Sequence, residues 1–181
     1  MMNHTSSPSG FSPLARVLHW LMAAMIIAML FIGVGMVGSV SARHAVLVAI
    51  HKPLGVAILV LVIVRLVVRF TRKTPPLPGD LPMWQTAAAH LSHWVLYGLM
   101  LVMPLIGWAM LSAGGYPVVL GGGVQLPALV AADPVTFAWL RNAHEVLAFV
   151  LFATVVVHLA AALFHGLIRR DGVLGSMARG R

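Results

Sequence analysis

Residues 137–168, with the sequence FAWLRNAHEVLAFVLFATVVVHLAAALFHGLI, decide how this chain folds. The stretch exceeds the roughly 20 apolar residues that a helix needs to cross the hydrocarbon core of a bilayer. His144 and His158 lie fourteen residues apart within it. Over that distance an α-helix rises roughly 21 Å and turns back to within about 40° of its first direction. One face of one helix can therefore carry two binding sites at different depths, and intramembrane histidines are functional candidates because imidazole is costly to bury in lipid.

The composition indicates an integral membrane protein. Of the 181 residues, 60% are hydrophobic and only 9% are charged, which lies outside the usual balance of soluble domains. Four apolar stretches are long enough to span, and they predict an all-α bundle of four transmembrane helices arranged up and down. The predicted helices cover roughly residues 15–38, 45–70, 86–113 and 137–168, and we expect a single domain over residues 1–181.

Lysine and arginine predict the orientation of the bundle. Arg43, Lys52 and Arg141 fall on one side, and nine such residues fall on the other. By the positive-inside rule the richer side, which includes both termini, is cytoplasmic. The net charge of +8 thus reflects topology and contact with membrane lipid, and no nucleic-acid partner is expected. The nine are Arg16, Arg65, Arg69, Arg72, Lys73, Arg169, Arg170, Arg179 and Arg181.

The first apolar stretch has a signal peptide as its main alternative interpretation. Small residues at 39–42 resemble a cleavage site. However, the run exceeds the usual apolar region of roughly 7 to 15 residues, and no lysine or arginine precedes Arg16. Cleavage would also remove His19. We therefore interpret this stretch as a membrane helix.

The chain contains no cysteine. This excludes thioether-attached haem, cysteine-ligated iron–sulfur clusters and internal disulfides. The segment at residues 114–133 is rich in glycine, yet it lacks the G-x-G-x-x-G pattern and the βαβ context of a nucleotide site. Any redox centre must therefore be held by ligands other than cysteine.

Depth sorts the four central histidines into two pairs. His19 lies near the cytoplasmic start of the first helix, and His51 lies near the outer start of the second. On the fourth helix, His144 lies toward the outer end and His158 toward the cytoplasm. We therefore predict an outer site from His51 and His144 and an inner site from His19 and His158.

Each histidine pair fits the two axial positions of a six-coordinate haem iron. Zinc normally recruits four ligands, or three with one open position, and Glu145 is the only acidic residue in any predicted span. Filled axial positions favour electron transfer over oxygen binding. We predict two bis-histidine haem b groups, with one iron held by His51 and His144 and the other by His19 and His158.

Two glycines and one arginine lie at the levels of these pairs. Gly33, fourteen residues after His19, leaves room for a flat macrocycle at the outer level. Gly55, one turn beyond His51, indicates a close approach, although small residues are common at helix contacts in membranes. Arg65, fourteen residues after His51, either snorkels to the interface or pairs with a haem propionate.

Several motifs follow one another in a specific order along the chain. They are residues 16–20, His51 with Gly55, residues 65–69 followed by Thr74-Pro75-Pro76, His90 and His93, Pro104 with Gly107, and His144-Glu145 with His158. This ordered set resembles the bacterial cytochrome b561 family over nearly the whole chain. The resemblance implies a four-helix, di-haem protein of the bacterial inner membrane, with the four paired histidines as haem ligands. One branch of the family oxidises superoxide at the outer face and reduces ubiquinone, and the superfamily is similar to the cytochrome b subunits of hydrogenases and formate dehydrogenases.

Two features depart from the superoxide-oxidising branch. Pro53 stands where that branch carries a small residue, and residues 114–133 show little similarity to their counterpart. Because this segment lies on the predicted substrate side, membership of the family does not by itself identify the electron donor. We also expect Pro53 and Pro104 to bend their helices.

The outer face carries the residues expected to attract a substrate anion. Oxidation of superoxide needs close approach to an electron acceptor, but no general acid, nucleophile or metal-bound water. Arg43, Lys52 and Arg141 can concentrate the anion there, and His44 adds charge when it is protonated. Alternatively, these residues anchor helix ends or meet haem propionates.

Three histidines on the inner side are candidates for quinone chemistry. His165, seven residues beyond His158 and roughly on its face, can donate protons or hydrogen-bond a quinone carbonyl. His90 and His93, at the start of the third helix, are similar candidates. Alternatively, they support the haem, hydrogen-bond neighbouring helices or cap the membrane interface.

We therefore expect a multi-pass inner-membrane oxidoreductase that passes electrons from superoxide, or another periplasmic donor, to ubiquinone. The alternative is a membrane anchor that exchanges electrons between quinone and a separate dehydrogenase or hydrogenase, a partner that would copurify. A histidine-lined proton or metal transporter is the third class, and it would show no haem absorption.

Overall fold

The computed structural model describes residues 10–38 and 41–180, which form a helical bundle. Four long helices are apolar enough to cross a membrane. They are α1 (Pro13–Val37), α2 (Ala42–Thr71), α3 (Met83–Ala113) and α4 (Pro134–Leu163), and a short helix α5 (Val173–Ala178) follows them. The described residues contain no β-strand beyond one isolated bridge. The prediction of an all-α, multi-pass membrane protein with four spanning helices is therefore confirmed.

Local chemistry explains where the helices begin. The Ser12 hydroxyl accepts a hydrogen bond from the Ala15 backbone N–H (3.4 Å), and the Asp133 carboxylate accepts one from the Thr136 N–H (2.6 Å). A proline follows each of these capping residues, at a position where its missing N–H is not needed. These caps place the starts of α1 and α4 two to three residues before the apolar stretches from which they were predicted.

Helix α4 changes its hydrogen bonding before it leaves the membrane. The α-helical part ends at Leu163, and a π-helical segment continues over Phe164–Arg169. The predicted span to residue 168 is therefore continuous but not uniformly α-helical. Helices α2 and α3 continue through Pro53 and Pro104. Each proline removes one backbone hydrogen bond from its helix.

Side chains from all four spanning helices form a central apolar layer. Leu151 of α4 lies seven residues from both His144 and His158, so this layer separates the two histidine levels. Lipid is as apolar as these side chains, and close packing rather than exclusion from water therefore holds the layer together. Its buried members are Met22, Ile26, Ile58, Val62, Leu99, Met100 and Leu151.

The spanning helices do not pack equally against one another. Helix α1 packs on α2, α2 on α3, and α3 on α4, whereas the backbone of α4 approaches α1 and α2 at few positions. The histidines of α4 face those of α1 and α2 across this open side. The backbone of α4 therefore lies farther from α1 and α2 than from α3 along most of its length.

The two ends of the bundle are closed by different segments. The loop at residues 114–133 has its predicted bounds and is tied to α3, since the Trp108 indole N–H donates to the Pro127 carbonyl (3.0 Å) and the Ser112 hydroxyl accepts from the Leu129 N–H (3.1 Å). At the other end, α5 returns to the start of α1. We call this end, which the arginine and lysine pattern predicts to be cytoplasmic, the inner end.

Single cysteines can map the orientation because the chain has none of its own. Gly79 and Gly121, in the loops after α2 and α3, have open space where a Cβ would lie. We expect Gly79→Cys to react with a membrane-impermeant maleimide only in inverted vesicles, and Gly121→Cys only in intact spheroplasts. The unsubstituted chain must stay unlabelled. Labelling of both cysteines from one side would contradict the up-down topology, and the reversed pattern would contradict the orientation.

Candidate functional site

The structure brings the four central histidines together as two pairs at different depths. The ring centroids of His51 and His144 are 6.2 Å apart, with 67° between the ring planes. Those of His19 and His158 are 6.3 Å apart, at 61°. In each pair one ring comes from α4 and the other from α1 or α2. Two imidazoles therefore face each other across a gap at both levels.

The outer pair has buried ring nitrogens that lack good hydrogen bonds. Within the described residues His51 Nδ1 has no partner. His144 Nδ1 makes no bond of acceptable geometry, although the Met103 carbonyl is a candidate acceptor. Gly107 of α3 makes room for the His144 ring, because a Cβ at this position would lie 3.2 Å from His144 Cε1. A larger residue at 107 would displace the imidazole.

At the inner pair, Arg65 contacts His19 directly. Its Nη2 donates to His19 Nδ1 (3.0 Å), and its Nε donates to the Tyr97 hydroxyl (3.2 Å). Because arginine has no acceptor, His19 Nδ1 must carry the lone pair in this arrangement. The sequence predicts that Arg65 either snorkels to the interface or pairs with a haem propionate. In the structure Arg65 makes a different contact, a hydrogen bond to a histidine.

His93 adds a third imidazole to the inner level. Its ring centroid lies 5.3 Å from that of His158. The Nδ1–H of His93 donates to the Ala89 carbonyl (2.6 Å), one turn earlier on α3. In the neutral ring, Nε2 is then left as an acceptor.

The glycines predicted to face the pairs have different surroundings. A Cβ at Gly33 would meet nothing within 4 Å, which agrees with open space at the outer level. A Cβ at Gly55 would reach Met29 Cε at 3.7 Å, an ordinary van der Waals distance. Gly55 therefore lies at an ordinary contact between α1 and α2.

A basic cavity of about 530 Å³ opens at the inner end. His90 and His93 line it, together with Tyr97, whereas His165 does not. The lining contains no acidic side chain among the described residues. Its positively charged residues are Arg65, Arg69, Arg72 and Lys73, and apolar parts of Phe11, Val68, Leu77 and Met177 complete it.

His165 belongs instead to an ion network where α4 ends. Its Nδ1 contacts Asp171 Oδ2 at 2.6 Å, and Arg169 Nε contacts the same oxygen at 2.8 Å. Arg169 also reaches Asp80 in the loop after α2 (2.6 Å). Burial disfavours the charged form of Asp171, but the hydrogen bonds from His165 and the Val173 N–H outweigh it and lower the pKa of this carboxyl.

The three outer basic residues lie on α2 and α4, toward the same end of the bundle as the outer pair. Arg43 and Arg141 are exposed and Lys52 is half-buried. None of the three forms an ion pair within the described ranges, whose ion pairs all lie at the inner end. His44 donates from Nδ1 to the Met36 carbonyl (3.0 Å), which ties the start of α2 to the end of α1.

Three residues of these sites had no predicted role. Tyr97 lies four residues after His93, so helical spacing alone could have placed both on one face. Gly107 lies three residues after Pro104. Its role in making room for the His144 ring is visible only from the contact in the structure. Asp171 lies beyond the spanning residues, and its role depends on the π-helical end of α4.

Comparison with known proteins gives matches along nearly the whole chain. The family described as prokaryotic cytochrome b561 matches residues 10–180. The probable superoxide oxidase CybB of Yersinia pestis is 33% identical over 126 residues, which cover 69% of this chain and 70% of that protein. Cytochrome b561 homolog 1 of Escherichia coli strain K12 is 28% identical over 167 residues, covering 91% and 94%. Homolog 2 of the same strain is 27% identical over 179 residues, covering 97% and 95%.

The network at the inner end predicts a pH-dependent stability difference. Asp171→Asn should lower the free energy of unfolding by about 1–3 kcal/mol, because Asp171 accepts several hydrogen bonds while largely buried. The lowered pKa makes this contribution complete above the ordinary carboxyl value near 3.8, and it is lost as the pH falls through the lower folded-state value.

Thermal unfolding in detergent at several pH values measures the difference. Asp80→Asn is the matched control, since Asp80 also pairs with Arg169 but its side chain is 77% exposed. Its effect should stay below about 1 kcal/mol. Equal melting temperatures for Asp171→Asn and Asp80→Asn at neutral pH would contradict the prediction.

Proposed function

The chain belongs to the prokaryotic cytochrome b561 family of membrane electron-transfer proteins, and we propose that it holds two haem b groups, each between two histidines. Family membership implies haem b as the cofactor. The proposal adds the ligands: His51 with His144 for the outer haem, and His19 with His158 for the inner one. Electrons then cross the bacterial inner membrane from the outer haem to the inner one.

The distance between paired rings is the observation that carries this proposal. Imidazole nitrogens bind metal ions at roughly 2 Å, and the ring centroid lies about 1 Å farther back, so two imidazoles that hold one metal ion between them would have centroids about 6 Å apart. The separations of 6.2 Å and 6.3 Å fit this value. The 5.3 Å between His93 and His158 is shorter, which supports His19 as the partner of His158.

The surroundings of the rings fit a bound haem as well. The open side of α4 and the free space at Gly33 give a macrocycle room. A ligating imidazole normally binds through one nitrogen and donates from the other to a carbonyl or carboxylate. For His144 the Met103 carbonyl is the candidate acceptor.

Arg65 has a distinct part in this proposal. If His19 binds iron through Nε2, its Nδ1 carries a proton in the neutral ring and can no longer accept from Arg65. The guanidinium of Arg65 would then be free to pair with a haem propionate. Tyr97, which accepts from Arg65 Nε, keeps its own hydroxyl proton for another acceptor.

We place quinone reduction at the basic cavity of the inner end. Haem supplies one-electron transfer, and the chain supplies hydrogen bonds and proton carriers. Tyr97 can donate its hydroxyl proton to a quinone carbonyl, and His93 can donate from Nε2 once it is protonated. His90, which is exposed, can exchange protons with water. His165 pairs with Asp171 outside this cavity. For His165 to contact quinone as predicted, the quinone would have to approach by a route other than this cavity.

We propose superoxide as the electron donor at the outer face. Each superoxide anion loses one electron and leaves as dioxygen. Two such electrons, with two protons from the cytoplasmic side, convert ubiquinone to ubiquinol. The similarity to a protein named probable superoxide oxidase supports this choice. Arg43, Lys52 and Arg141, which have no ion-pair partner in the described residues, leave positive charge available to attract the anion.

The ligand assignment predicts the haem content of single variants. Purified protein should contain two haems per chain, and His51→Ala and His19→Ala should each lose one, because a single imidazole holds the iron weakly. Gly107→Ala should also weaken the outer haem, since the new methyl group pushes on His144. Haem quantitation by the pyridine haemochrome spectrum measures the content. The control is Gly98→Ala on the same helix, where a Cβ meets nothing within 4 Å.

Unchanged haem content in both histidine variants would refute the ligand assignment. A protein without haem absorption would point to the transporter alternative. Loss of both haems in each histidine variant, with both haems kept in Gly98→Ala, would contradict two separate sites.

Rapid mixing with superoxide tests the proposed activity. We expect haem reduction faster than the spontaneous decay of superoxide, and reoxidation of haem when ubiquinone is present. Arg43→Gln and Arg141→Gln should slow reduction several-fold at low ionic strength, with the difference shrinking as salt increases. Arg179→Gln, the same charge change at the inner end, is the control.

No acceleration over the spontaneous decay would rule out superoxide while leaving the cytochrome intact. A soluble redox protein that copurifies and reduces the haem would favour the membrane-anchor alternative. An equal effect of all three arginine variants would exclude local steering at the outer face.

A further inference from the structure

Three successive backbone carbonyls of helix α5 accept hydrogen bonds from α1 and from Phe11, which precedes the α1 cap. The Ser176 carbonyl accepts from the Phe11 N–H (3.2 Å). The Met177 carbonyl accepts from the Trp20 indole N–H, and the Ala178 carbonyl accepts from Arg16 Nη2, both at 3.3 Å. These are among the last carbonyls of α5, which lack partners within their own helix. Arg16 and Trp20 lie one turn apart on α1 and meet them together.

Trp20 connects α5 to the inner histidine pair. Its indole makes an edge-to-face contact with the His19 ring, with centroids 5.2 Å apart and 78° between the planes. Met177, which binds the indole N–H, also lines the inner cavity. The position of α5 therefore bears on the position of the His19 ring.

The inner pair needs such a connection because its two helices hardly touch. His19 lies on α1 and His158 on α4, and these helices approach each other at few backbone positions. Helix α5 is joined to α4 by a short turn and hydrogen-bonded to α1. It thus bridges the two elements that carry the inner pair.

The turn between α4 and α5 has a defined geometry. Arg170 and Gly172 adopt positive φ angles of 54° and 85°. Between them the Asp171 carboxylate binds Arg169 and His165 of the π-helical segment and accepts from the first N–H of α5, that of Val173 (3.2 Å). This carboxylate fixes the direction in which α5 leaves α4.

We propose that α5 is a positioning element for the inner histidine pair, acting through the Met177 carbonyl and the Trp20 indole on the His19 ring. The inference rests on the proposed function, because it takes His19 and His158 as haem ligands. Groups that hold an axial imidazole alter the affinity and the potential of its iron. Trp20 therefore acts on the inner haem without binding it.

The test uses Trp20→Phe in the full, haem-loaded protein. Phenylalanine keeps an aromatic ring beside His19 but cannot donate to Met177. Trp84→Phe is the control, because Trp84 also lies at the inner end, is 69% exposed and has no hydrogen bond among the described residues. Electron paramagnetic resonance and redox titration measure both haems, and the inner signal is the one retained in His51→Ala.

We expect Trp20→Phe to move the low-spin signal and the midpoint potential of the inner haem and to leave those of the outer haem unchanged. A chain ending at Gly172 should lose inner haem, with the affinity falling by about tenfold or more. The outer haem signal in the same sample reports whether the bundle has folded. Trp84→Phe should change neither signal.

Two results would overturn the inference. One is an inner signal and potential in Trp20→Phe that match those of Trp84→Phe, with both haems kept in the shortened chain. The other is equal loss of both haems in the Trp20→Phe variant and the shortened chain, which would assign α5 to general stability. If the unsubstituted protein lacks an inner bis-histidine haem, the proposed function itself fails, and this inference fails with it.

Discussion

An imidazole in a hydrocarbon environment needs a bonding partner for its ring nitrogens. Four such rings lie at two depths of this bundle, and the described residues contain no cluster of three or more histidine, cysteine or acidic side chains that could hold a metal ion. His51 Nδ1 has no protein partner there, and His19 Nδ1 depends on Arg65. A metal bound between two facing rings satisfies one nitrogen on each. For a chain that binds haem as proposed, cofactor loading and stability of the bundle are therefore coupled.

The uneven packing of the helices is compatible with the same requirement. A flat macrocycle held as proposed would lie between α4 and its partners, and α3 makes most of the packing contacts with α4. Gly107 contributes to the packing of α3 on α4, because its missing side chain lets α3 approach the His144 ring. Loop contacts at one end and α5 at the other connect helices that a haem bound as proposed would separate.

Much of this architecture could be predicted, because membrane spans depend on hydropathy along one segment at a time. The helices begin two to three residues before the predicted starts, because their first turns, such as the one containing Trp84 and Gln85, lie outside the apolar stretches. The sequence pattern does not predict helix α5. Six residues, VLGSMA, are too few to form a helix alone, and contacts from distant parts of the chain stabilise it. Histidine spacing predicted which rings face each other, whereas their role as ligands stays a prediction.

The apolar layer between the histidine levels has an electrical consequence. Its seven buried side chains are hydrocarbon or thioether, so they offer no hydrogen-bonded route for protons. An electron passing inward between the two levels would move without a proton across roughly 21 Å of a core about 30 Å thick. A membrane that is negative inside opposes this movement by up to about 2.3 kcal/mol per 100 mV for each charge. Turnover in the proposed direction is therefore electrogenic, and its rate falls as the membrane potential becomes more negative inside.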